Sequence, residues 1–332
     1  MNRYLVIGGG GFLGGRIVEQ LVARGETVRT LGRNHYPELE PLKVEQCRGD
    51  LRTFDDVRKA CEGMDVVIHS AAIPSISCQW KPLYEVNTLG TLNVINACLN
   101  HGVKKLLYTS SPSVTFDGTE QFGVDETVPY PKTWTSHYPH SKALAEKMVL
   151  DTNGRKGLLT CSLRPHLIWG PYDRQLIPRL LQRARAGKLY RVGDGTNLVD
   201  MIYVDNAAEA HLMAADALEA ESPIAGSAYF LTQGEPVNCW DWINEILNYA
   251  GLPNVKRSVS LKRALFYGRI CEKFYSVFRL EGEPTMTSFL ATQLAQTHWF
   301  DISKAKRDFG YSPTISTEEG MKRLKDYLTA NS

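Results

Sequence analysis

Short apolar runs alternate with stretches of helical periodicity along the first part of the chain, through residue 114. The runs predict strands near residues 5–7, within 26–33, within 65–72 and at 106–109. Strands of a parallel sheet are buried on both faces and are therefore apolar along their length, while the amphipathic stretches between them predict covering helices. The pattern predicts an α/β fold with a parallel, doubly wound sheet, in which ligands bind at the carboxyl ends of the strands.

A glycine-rich turn joins the first predicted strand to the first predicted helix. Gly8, Gly11 and Gly14 follow the spacing G-x-x-G-x-x-G. In dinucleotide-binding folds such glycines allow a tight turn, a close approach to the pyrophosphate and close packing of the helix. The backbone amides at the helix start, including those of Phe12 and Leu13, would face the phosphates. A flexible turn without a ligand is the alternative, and the flanking strand and helix favour a Rossmann-type nucleotide site.

The second predicted strand ends without the carboxylate that NAD-preferring folds place beside the ribose 2′-hydroxyl. Gly32 occupies that position, and Arg33 follows it. A guanidinium there fits a 2′-phosphate, which favours NADP(H), although a solvated arginine is the plainer alternative. Asp50 and Leu51 follow the third predicted strand, where Asp50 could accept from the adenine amino group or cap the next helix. Ala71 is small enough to let a cofactor lie against the backbone.

Hydroxyl and amine groups suited to acid–base chemistry follow the strand at 106–109. Ser111 lies just after it, where serines form turns and caps but also reach a ligand at the sheet edge. Tyr138 and Lys142 are four residues apart at the start of a predicted helix, so they share a face, as many exposed pairs do. An ammonium ~4 Å from a phenol contributes about 4 kcal/mol at an effective dielectric of ~20, roughly three pKa units. This predicts a Tyr138 phenol near neutrality that donates a proton, with Ser111 holding the substrate oxygen.

The alternation of strands and helices weakens after Asp173. Pro165 lies near the end of a further predicted strand, and since it has no backbone donor, its neighbours can face a nicotinamide amide. Residues 227–236 predict a last strand, and the following chain is mainly helical. A length of 332 residues exceeds one comfortable core. We expect an NADP-binding domain of residues 1–173 plus about 200–233, and a substrate-binding lobe of about 174–199 plus 234–332.

Residues 263–280 place apolar and aromatic side chains on one helical face. They are Leu265, Phe266, Ile270, Phe274, Val277 and Phe278. The face could be core of the lobe, a lid over an apolar substrate, a partner surface or a helix lying on a membrane. Its charge is only modestly basic, which favours the core or the lid.

Composition excludes several classes of protein. A net charge of +2 does not provide the basic face of a nucleic-acid binder. Seven scattered cysteines without C-x-x-C spacing indicate reduced thiols and no metal site. No apolar run reaches the ~20 residues that span a bilayer, and no signal peptide precedes the first predicted strand. We expect a cytoplasmic protein, for which peripheral contact with a membrane stays open.

In order along the chain, these motifs resemble those of the extended short-chain dehydrogenases/reductases. The matching pieces are GGGGFLG (8–14), Asp50-Leu51, DVVIHSAA (65–72), NTLGTLNV (87–94), YTSS (108–111), Tyr138-x-x-x-Lys142, RPHLIWGP (164–171) and YVDNAA (203–208). The resemblance implies that Ser111, Tyr138 and Lys142 are catalytic and that Asn87 supports the site. It also implies that Tyr138 and Lys142 contact the cofactor. Ile7 departs from the family, which often has threonine before the glycines.

Within that superfamily the chain resembles the 3β-hydroxysteroid dehydrogenase-like branch, and in particular the bacterial 2-alkyl-3-oxoalkanoate reductases of long-chain olefin biosynthesis. The stretches on which this narrower resemblance rests are residues 32–39, 163–189, 192–211 and 282–300. The resemblance implies NADPH-dependent reduction of a long-chain 2-alkyl-3-oxoalkanoic acid to the 2-alkyl-3-hydroxy acid. It further implies a complex with the pathway's β-lactone synthetase and β-lactone decarboxylase, and a homodimer.

Two other functions are compatible with the same residues. One is an NAD-dependent 3β-hydroxysteroid or sterol-carboxylate dehydrogenase, which Gly32 and Arg33 disfavour. The other is a non-catalytic scaffold that binds NADP, which the intact Ser111, Tyr138 and Lys142 disfavour.

Overall fold

The protein is organised around a seven-stranded sheet, and its computed structural model describes residues 1–74, 79–278, 280 and 282–331. The strands are β1 (Arg3–Ile7), β2 (Thr27–Gly32), β3 (Glu45–Arg48), β4 (Val66–His69), β5 (Lys105–Thr109), β6 (Gln121–Val124), β7 (Leu159–Pro165), β8 (Ile168–Trp169), β9 (Arg191–Val192), β10 (Leu198–Val199), β11 (Ile202–Tyr203), β12 (Ser227–Leu231), β13 (Val237–Asn238), β14 (Ser258–Val259) and β15 (His298–Phe300).

Helices cover both faces of this sheet and build the rest of the molecule. They are α1 (Phe12–Ala23), α2 (Phe54–Cys61), α3 (Trp80–Leu83), α4 (Gly90–His101), α5 (His137–Leu150), α6 (Leu176–Arg185), α7 (Val204–Ala217), α8 (Cys239–Tyr249), α9 (Leu261–Val277), α10 (Ser288–Ala295), α11 (Ser303–Phe309) and α12 (Thr317–Ala330). Short 3-10 turns lie at Pro37–Leu42, Pro112–Thr115 and Arg155–Gly157, and a π-helical segment at Tyr84–Leu89 joins α3 to α4.

The large sheet is parallel and has the strand order β12-β7-β5-β4-β1-β2-β3. The chain starts at β1 in the middle, moves outward through β2 and β3, and returns to β4 on the other side of β1. The order therefore reverses between β1 and β4, and ligands of doubly wound sheets bind outside the strand ends at such a point. This confirms the predicted Rossmann-type α/β fold.

Successive residues of the inner strands point to opposite faces of the sheet, and both faces are buried. Val6 and Ile68 pack with α1 and α7 on one side. Leu5 and Val67 pack with α2, α4 and α5 on the other side. Burial on both sides explains why these strands appear in the sequence as continuous apolar runs.

A third apolar cluster joins segments predicted for the substrate lobe to segments predicted for the NADP-binding domain. It includes Trp169, Leu181, Trp240, Trp242 and Ile246. A smaller sheet of order β13-β10-β15-β6 connects the chain after β5 to this part, because His298 of β15 pairs with Gln121 of β6. The predicted division into two domains stays a prediction.

The stretch NTLGTLNV (87–94), which the sequence alone indicates as the start of a helix, belongs to a helical region that begins earlier. Helical structure starts at Trp80 and continues through the π-helical segment into α4, so Asn87 lies inside a helix and not at its start. Leu83 is fully buried and anchors the added turns. Pro82 stands in the first turn, where a missing backbone donor does not interrupt the helix.

Of the alternatives for the aromatic face of residues 263–280, the structure contradicts packing in the core and leaves the lid, the partner surface and the membrane open. Phe266, Ile270, Phe274, Val277 and Phe278 are exposed. The helix packs through its opposite, small-residue side, and a side chain added at position 268 would lie 2.8 Å from the carbonyl carbon of residue 287. Residue 279 of this stretch, and Cys78 among the cysteines, lie outside the described residues.

In the described ranges, no helix combines the length and the apolar character needed to cross a bilayer.

Candidate active site

The glycine turn between β1 and α1 forms a cradle that side chains would fill. Gly8 has φ +90°, and a Cβ there would lie 2.9 Å from the backbone nitrogen of Ala71. A Cβ at Gly14 would overlap the carbonyl oxygen of Gly8, so the helix could not pack this closely on the turn. Gly11 is exposed and precedes α1 as its N-cap. A turn of this shape fits a pyrophosphate.

The first turn of α1 supplies backbone donors and no side-chain cap in the part of the chain that the structure describes. Leu13 is buried in the sheet core and Phe12 packs against the third cluster, so their side chains point away from the cradle. These residues therefore offer their amides to a phosphate, as the sequence predicted of a helix start.

A second arginine, which the sequence analysis missed, stands beside the end of β2. Gly32 pairs with Arg48 in the register of β2 with β3, and Arg48 Nε donates to the Arg33 carbonyl oxygen at 3.1 Å. Both guanidinium-bearing residues are exposed. Tyr36, also missed, covers the backbone here, since a Cβ at Gly32 would lie 2.7 Å from its ring. Arg48 reaches this position through the pairing of β3 with β2, so that strand register is the signal by which it could have been found.

Asp50 does not cap the following helix. Its carboxylate accepts from Arg52 Nη2 at 2.6 Å and from the Arg52 backbone nitrogen at 2.9 Å, which lowers the pKa of Asp50. The N-cap of α2 is Thr53. Leu51 is buried, and its carbonyl oxygen accepts from Asn93 Nδ2 at 2.8 Å. The structure thus fixes this segment by Arg52 and Asn93, and adenine contact by Asp50 stays a prediction.

Ser111, Tyr138 and Lys142 come together beside the end of β5. Ser111 caps the turn Pro112–Thr115, and its Oγ lies 2.9 Å from Ser113 Oγ. Tyr138 is the second residue of α5. Burial raises the pKa of its phenol, and a hydrogen bond with the Ser111 side chain offsets only part of that rise. A phenol and a serine hydroxyl that already share a hydrogen bond can both reach one carbonyl oxygen.

The predicted phenol pKa near neutrality is wrong for this protein. Burial raises the pKa of Tyr138 to about 12 and lowers the pKa of Lys142 to about 7. Lys142 Nζ donates to the Thr109 carbonyl oxygen at 2.6 Å and lies 4.1 Å from the centre of the Tyr108 ring. The attraction of the ammonium charge favours the phenolate, but the cost of burying a phenolate is larger and cannot be seen in the sequence. A raised phenol pKa keeps the proton on Tyr138 at neutral pH.

Asn87 is a positioning residue in the π-helical segment. Its Oδ1 accepts from the Ile73 backbone nitrogen at 2.8 Å, and its Nδ2 donates to Ser141 Oγ at 3.1 Å. Ser141 Oγ in turn donates to the Tyr138 carbonyl oxygen at 2.8 Å. Asn87 therefore ties the loop after β4 to the helical turn that carries Tyr138.

A buried ion pair, also missed by the sequence analysis, lies behind the site. Arg164 Nη2 and Glu146 Oε1 are 2.7 Å apart, and Glu146 stands one turn after Lys142 on α5. Burial alone would raise the pKa of Glu146, but the guanidinium of Arg164 outweighs it and keeps the pKa below its usual value. Pro165 follows Arg164, ends β7 and pairs with Leu231 of β12. The ion pair fixes the strand end where Pro165 was predicted to contact nicotinamide.

Comparison with known proteins assigns the family. Residues 5–263 match the 3-beta hydroxysteroid dehydrogenase/isomerase family. The chain belongs to this family. It is 47% identical over 326 residues to the 2-alkyl-3-oxoalkanoate reductase of Stenotrophomonas maltophilia (strain K279a), covering 97% of this chain and 98% of the relative. A second 2-alkyl-3-oxoalkanoate reductase, from Shewanella oneidensis, is 46% identical, with 99% of this chain and 87% of the relative covered.

More distant family members include 3beta-hydroxysteroid-dehydrogenase/decarboxylase isoform 1 of Arabidopsis thaliana. It is 38% identical, with 97% of this chain and 78% of the relative covered. Among solved structures, the Thermus thermophilus UDP-glucose 4-epimerase complex with NAD superposes with a TM-score of 0.76 and 25% identity, covering 99% of this chain and 100% of the other. The chain is an oxidoreductase of this family with a fold that binds a nicotinamide cofactor.

Proposed function

We propose that the protein reduces the ketone of a long-chain 2-alkyl-3-oxoalkanoic acid to the 2-alkyl-3-hydroxy acid, with NADPH as reductant. The observation that carries the proposal is the 47% identity to a reductase of that name, which covers 97% of this chain and so includes the predicted substrate lobe. The sterol-directed relatives are less similar, at 39% identity and below.

The residues of the site divide the reaction between them. A bound dihydronicotinamide would supply the hydride to the ketone carbon. Ser111 and Tyr138 hold the ketone oxygen as it gains negative charge, and Tyr138 gives it the phenolic proton. The pKa of about 12 that burial gives Tyr138 keeps this proton available across the neutral range. Lys142 contacts the cofactor, and Asn87 holds the turn that carries Tyr138.

The proposed pyrophosphate site consists of the glycine turn and the backbone amides at the start of α1, that is Gly8, Gly11, Phe12, Leu13 and Gly14. The proposed contacts along the rest of the cofactor are Asp50, Leu51, Ala71 and Pro165. The absent carboxylate at Gly32 and the exposed Arg33 support NADP(H) over NAD(H). Arg48 adds a second positive charge beside the same strand end.

Replacing Arg33 with serine is expected to raise the KM for NADPH by about tenfold while the KM for NADH changes little, because a charge-assisted bond to the 2′-phosphate is lost. Steady-state kinetics with each cofactor measures both values. Arg155→Ser removes the same charge at an exposed 3-10 turn and should change neither. Equal use of NADH and NADPH by the unchanged enzyme would contradict the assignment.

The substrate proposal is tested most cleanly in the oxidative direction, because β-keto acids lose carbon dioxide readily. The purified protein should reduce NADP when given a long-chain 2-alkyl-3-hydroxy acid and should leave a 3β-hydroxysteroid with NAD unchanged. The reverse preference would show a steroid dehydrogenase. Binding of NADPH without turnover of either substrate would show a non-catalytic scaffold.

The chemistry of the product also suggests which enzymes act after this one. A 2-alkyl-3-hydroxy acid must be activated and decarboxylated to give an olefin, so we infer association with a β-lactone synthetase and a β-lactone decarboxylase. The same proposal includes a homodimer in the cytoplasm with peripheral contact to a membrane. Light scattering of the purified protein, alone and with the two partners, measures these assemblies.

A further inference from the structure

The largest cluster of exposed apolar side chains in the described part of the chain lies on α9. Phe266, Ile270, Phe274 and Val277 follow helical spacing along one side, and Phe278 extends them at the C-cap. Each is between 50% and 68% exposed. We call these five residues the apolar stripe. Isolated exposed apolar residues are common, but a continuous set of this kind usually contacts something.

Cations border the apolar stripe. Lys262, Arg269 and Lys273 are exposed and form a row along one edge of the helix, seven and four residues apart. Arg263 adds an exposed charge near the helix start. The acidic residue of the helix, Glu272, turns inward and accepts from the Ser288 backbone nitrogen at 2.7 Å and from Ser288 Oγ at 3.0 Å. The outward surface of α9 is therefore apolar and positively charged.

We propose that the apolar stripe docks α9 in the plane of an anionic membrane surface. An interfacial helix has this composition, with apolar and aromatic residues buried at the level of the acyl chains and lysine and arginine at the headgroups. A second copy of the chain fits less well. A two-fold contact through α9 would bring its cations together, and the helix offers no outward carboxylate to balance them.

The C-terminal end of α9 is connected to the helix that carries Tyr138. The Leu280 carbonyl oxygen, just beyond α9, accepts from Gln79 Nε2 at 3.0 Å. The neighbouring Trp80 ring lies 4.8 Å from the ring of His140, which also stacks on Trp134 at 5.0 Å. His140 is two residues from Tyr138 on α5. A half-buried aromatic cluster thus connects the end of the membrane-facing helix to α5, the helix that carries the proton donor.

This placement gives the apolar stripe a role in substrate delivery, which rests on the proposed function. A 2-alkyl-3-oxo acid with two long chains partitions into lipid, since each buried methylene stabilises it there by about 0.8 kcal/mol. An enzyme docked through α9 can take such a substrate from the bilayer without passing it through water.

The test is sedimentation of the full-length protein with vesicles of phosphatidylcholine containing about one third phosphatidylglycerol, compared with phosphatidylcholine alone. The protein should bind the anionic vesicles, and the double variant Phe266→Ser/Phe274→Ser should lower its partitioning by about tenfold or more. Lys262→Gln/Lys273→Gln should remove the preference for anionic lipid. Phe122→Ser, at another exposed phenylalanine on β6, should change nothing.

Turnover of a short, soluble 2-alkyl-3-hydroxy acid separates docking from chemistry. It should be equal in the unchanged enzyme and in Phe266→Ser/Phe274→Ser, while turnover of a vesicle-borne long-chain substrate falls in the variant. An active enzyme that stays in the supernatant with every vesicle would overturn the docking proposal. A dimer that Phe266→Ser/Phe274→Ser dissociates, without vesicle binding, would assign the apolar stripe to a second copy. Vesicle binding without turnover would support docking and reject the proposed reaction.

Discussion

Replacing Tyr138 with phenylalanine is expected to lower kcat by about a thousandfold, because the change removes the proton donor and one of the two hydrogen bonds to the ketone oxygen. The phenol is the group that the structure places against Ser111, with its proton retained by a pKa of about 12. Affinity for NADPH should change little, since the variant keeps the glycine turn and Lys142. Initial rates of NADP reduction by the hydroxy acid, together with NADPH fluorescence titration, measure the two effects separately.

Tyr249→Phe is the matched control for this variant. Tyr249 lies at the end of α8, where its hydroxyl contacts Glu245, and loss of that exposed hydrogen bond should leave kcat unchanged. If Tyr138→Phe retained the activity of the unchanged enzyme, proton donation would have to come from another group, and the assigned roles of Ser111 and Tyr138 would be wrong.

Gly14→Ala is expected to abolish measurable NADPH binding and to lower the melting temperature. The added Cβ would overlap the Gly8 carbonyl oxygen, so α1 must move away from the turn that holds the phosphates. The contact at this position is with backbone atoms, so no flexible side chain can move aside to relieve it. Overpacking of this kind costs about 1–3 kcal/mol of stability, and the displaced amides lose their alignment with the pyrophosphate.

Gly15→Ala provides a control at the next position of the same helix. A Cβ there meets its nearest atom, the Gly9 carbonyl oxygen, at an ordinary 3.5 Å. Alanine also favours the helix over glycine by up to about 1 kcal/mol. We therefore expect full NADPH binding and an equal or higher melting temperature. Equal loss in both variants would mean that the helix tolerates no side chain at all here, and that the Gly8 contact is not the cause.

Much of the sheet could be predicted because its signal is local. Burial on both faces makes a strand such as Val66–His69 apolar throughout, and a helix after each strand leaves a parallel crossover as the simplest arrangement. The glycines at positions 8 and 14 were informative for the same reason, since few other arrangements need residues without a Cβ at that spacing.

The incorrect and missing predictions concern relations between distant parts of the chain. The phenol of Tyr138 titrates far from neutrality because of how deeply the fold buries it, and no spacing reveals that depth. Arg48 reaches the end of β2 only through strand register. The face of α9 could not be assigned because an amphipathic pattern does not say which side packs, and only the close contact at Gly268 shows that the small-residue side does.

The pairing of β6 with β15 has a consequence for building chimeras of family members. β6 follows the turn that holds Ser111, yet its partner strand lies near residue 300, and the backbone nitrogen of Gln121 donates to the carbonyl oxygen of Thr297. A chimera that exchanges only the C-terminal region of two family members would join two halves of this small sheet from different parents. Transplanting residues 121–124 together with the region from β10 to β15 keeps that interface from one parent.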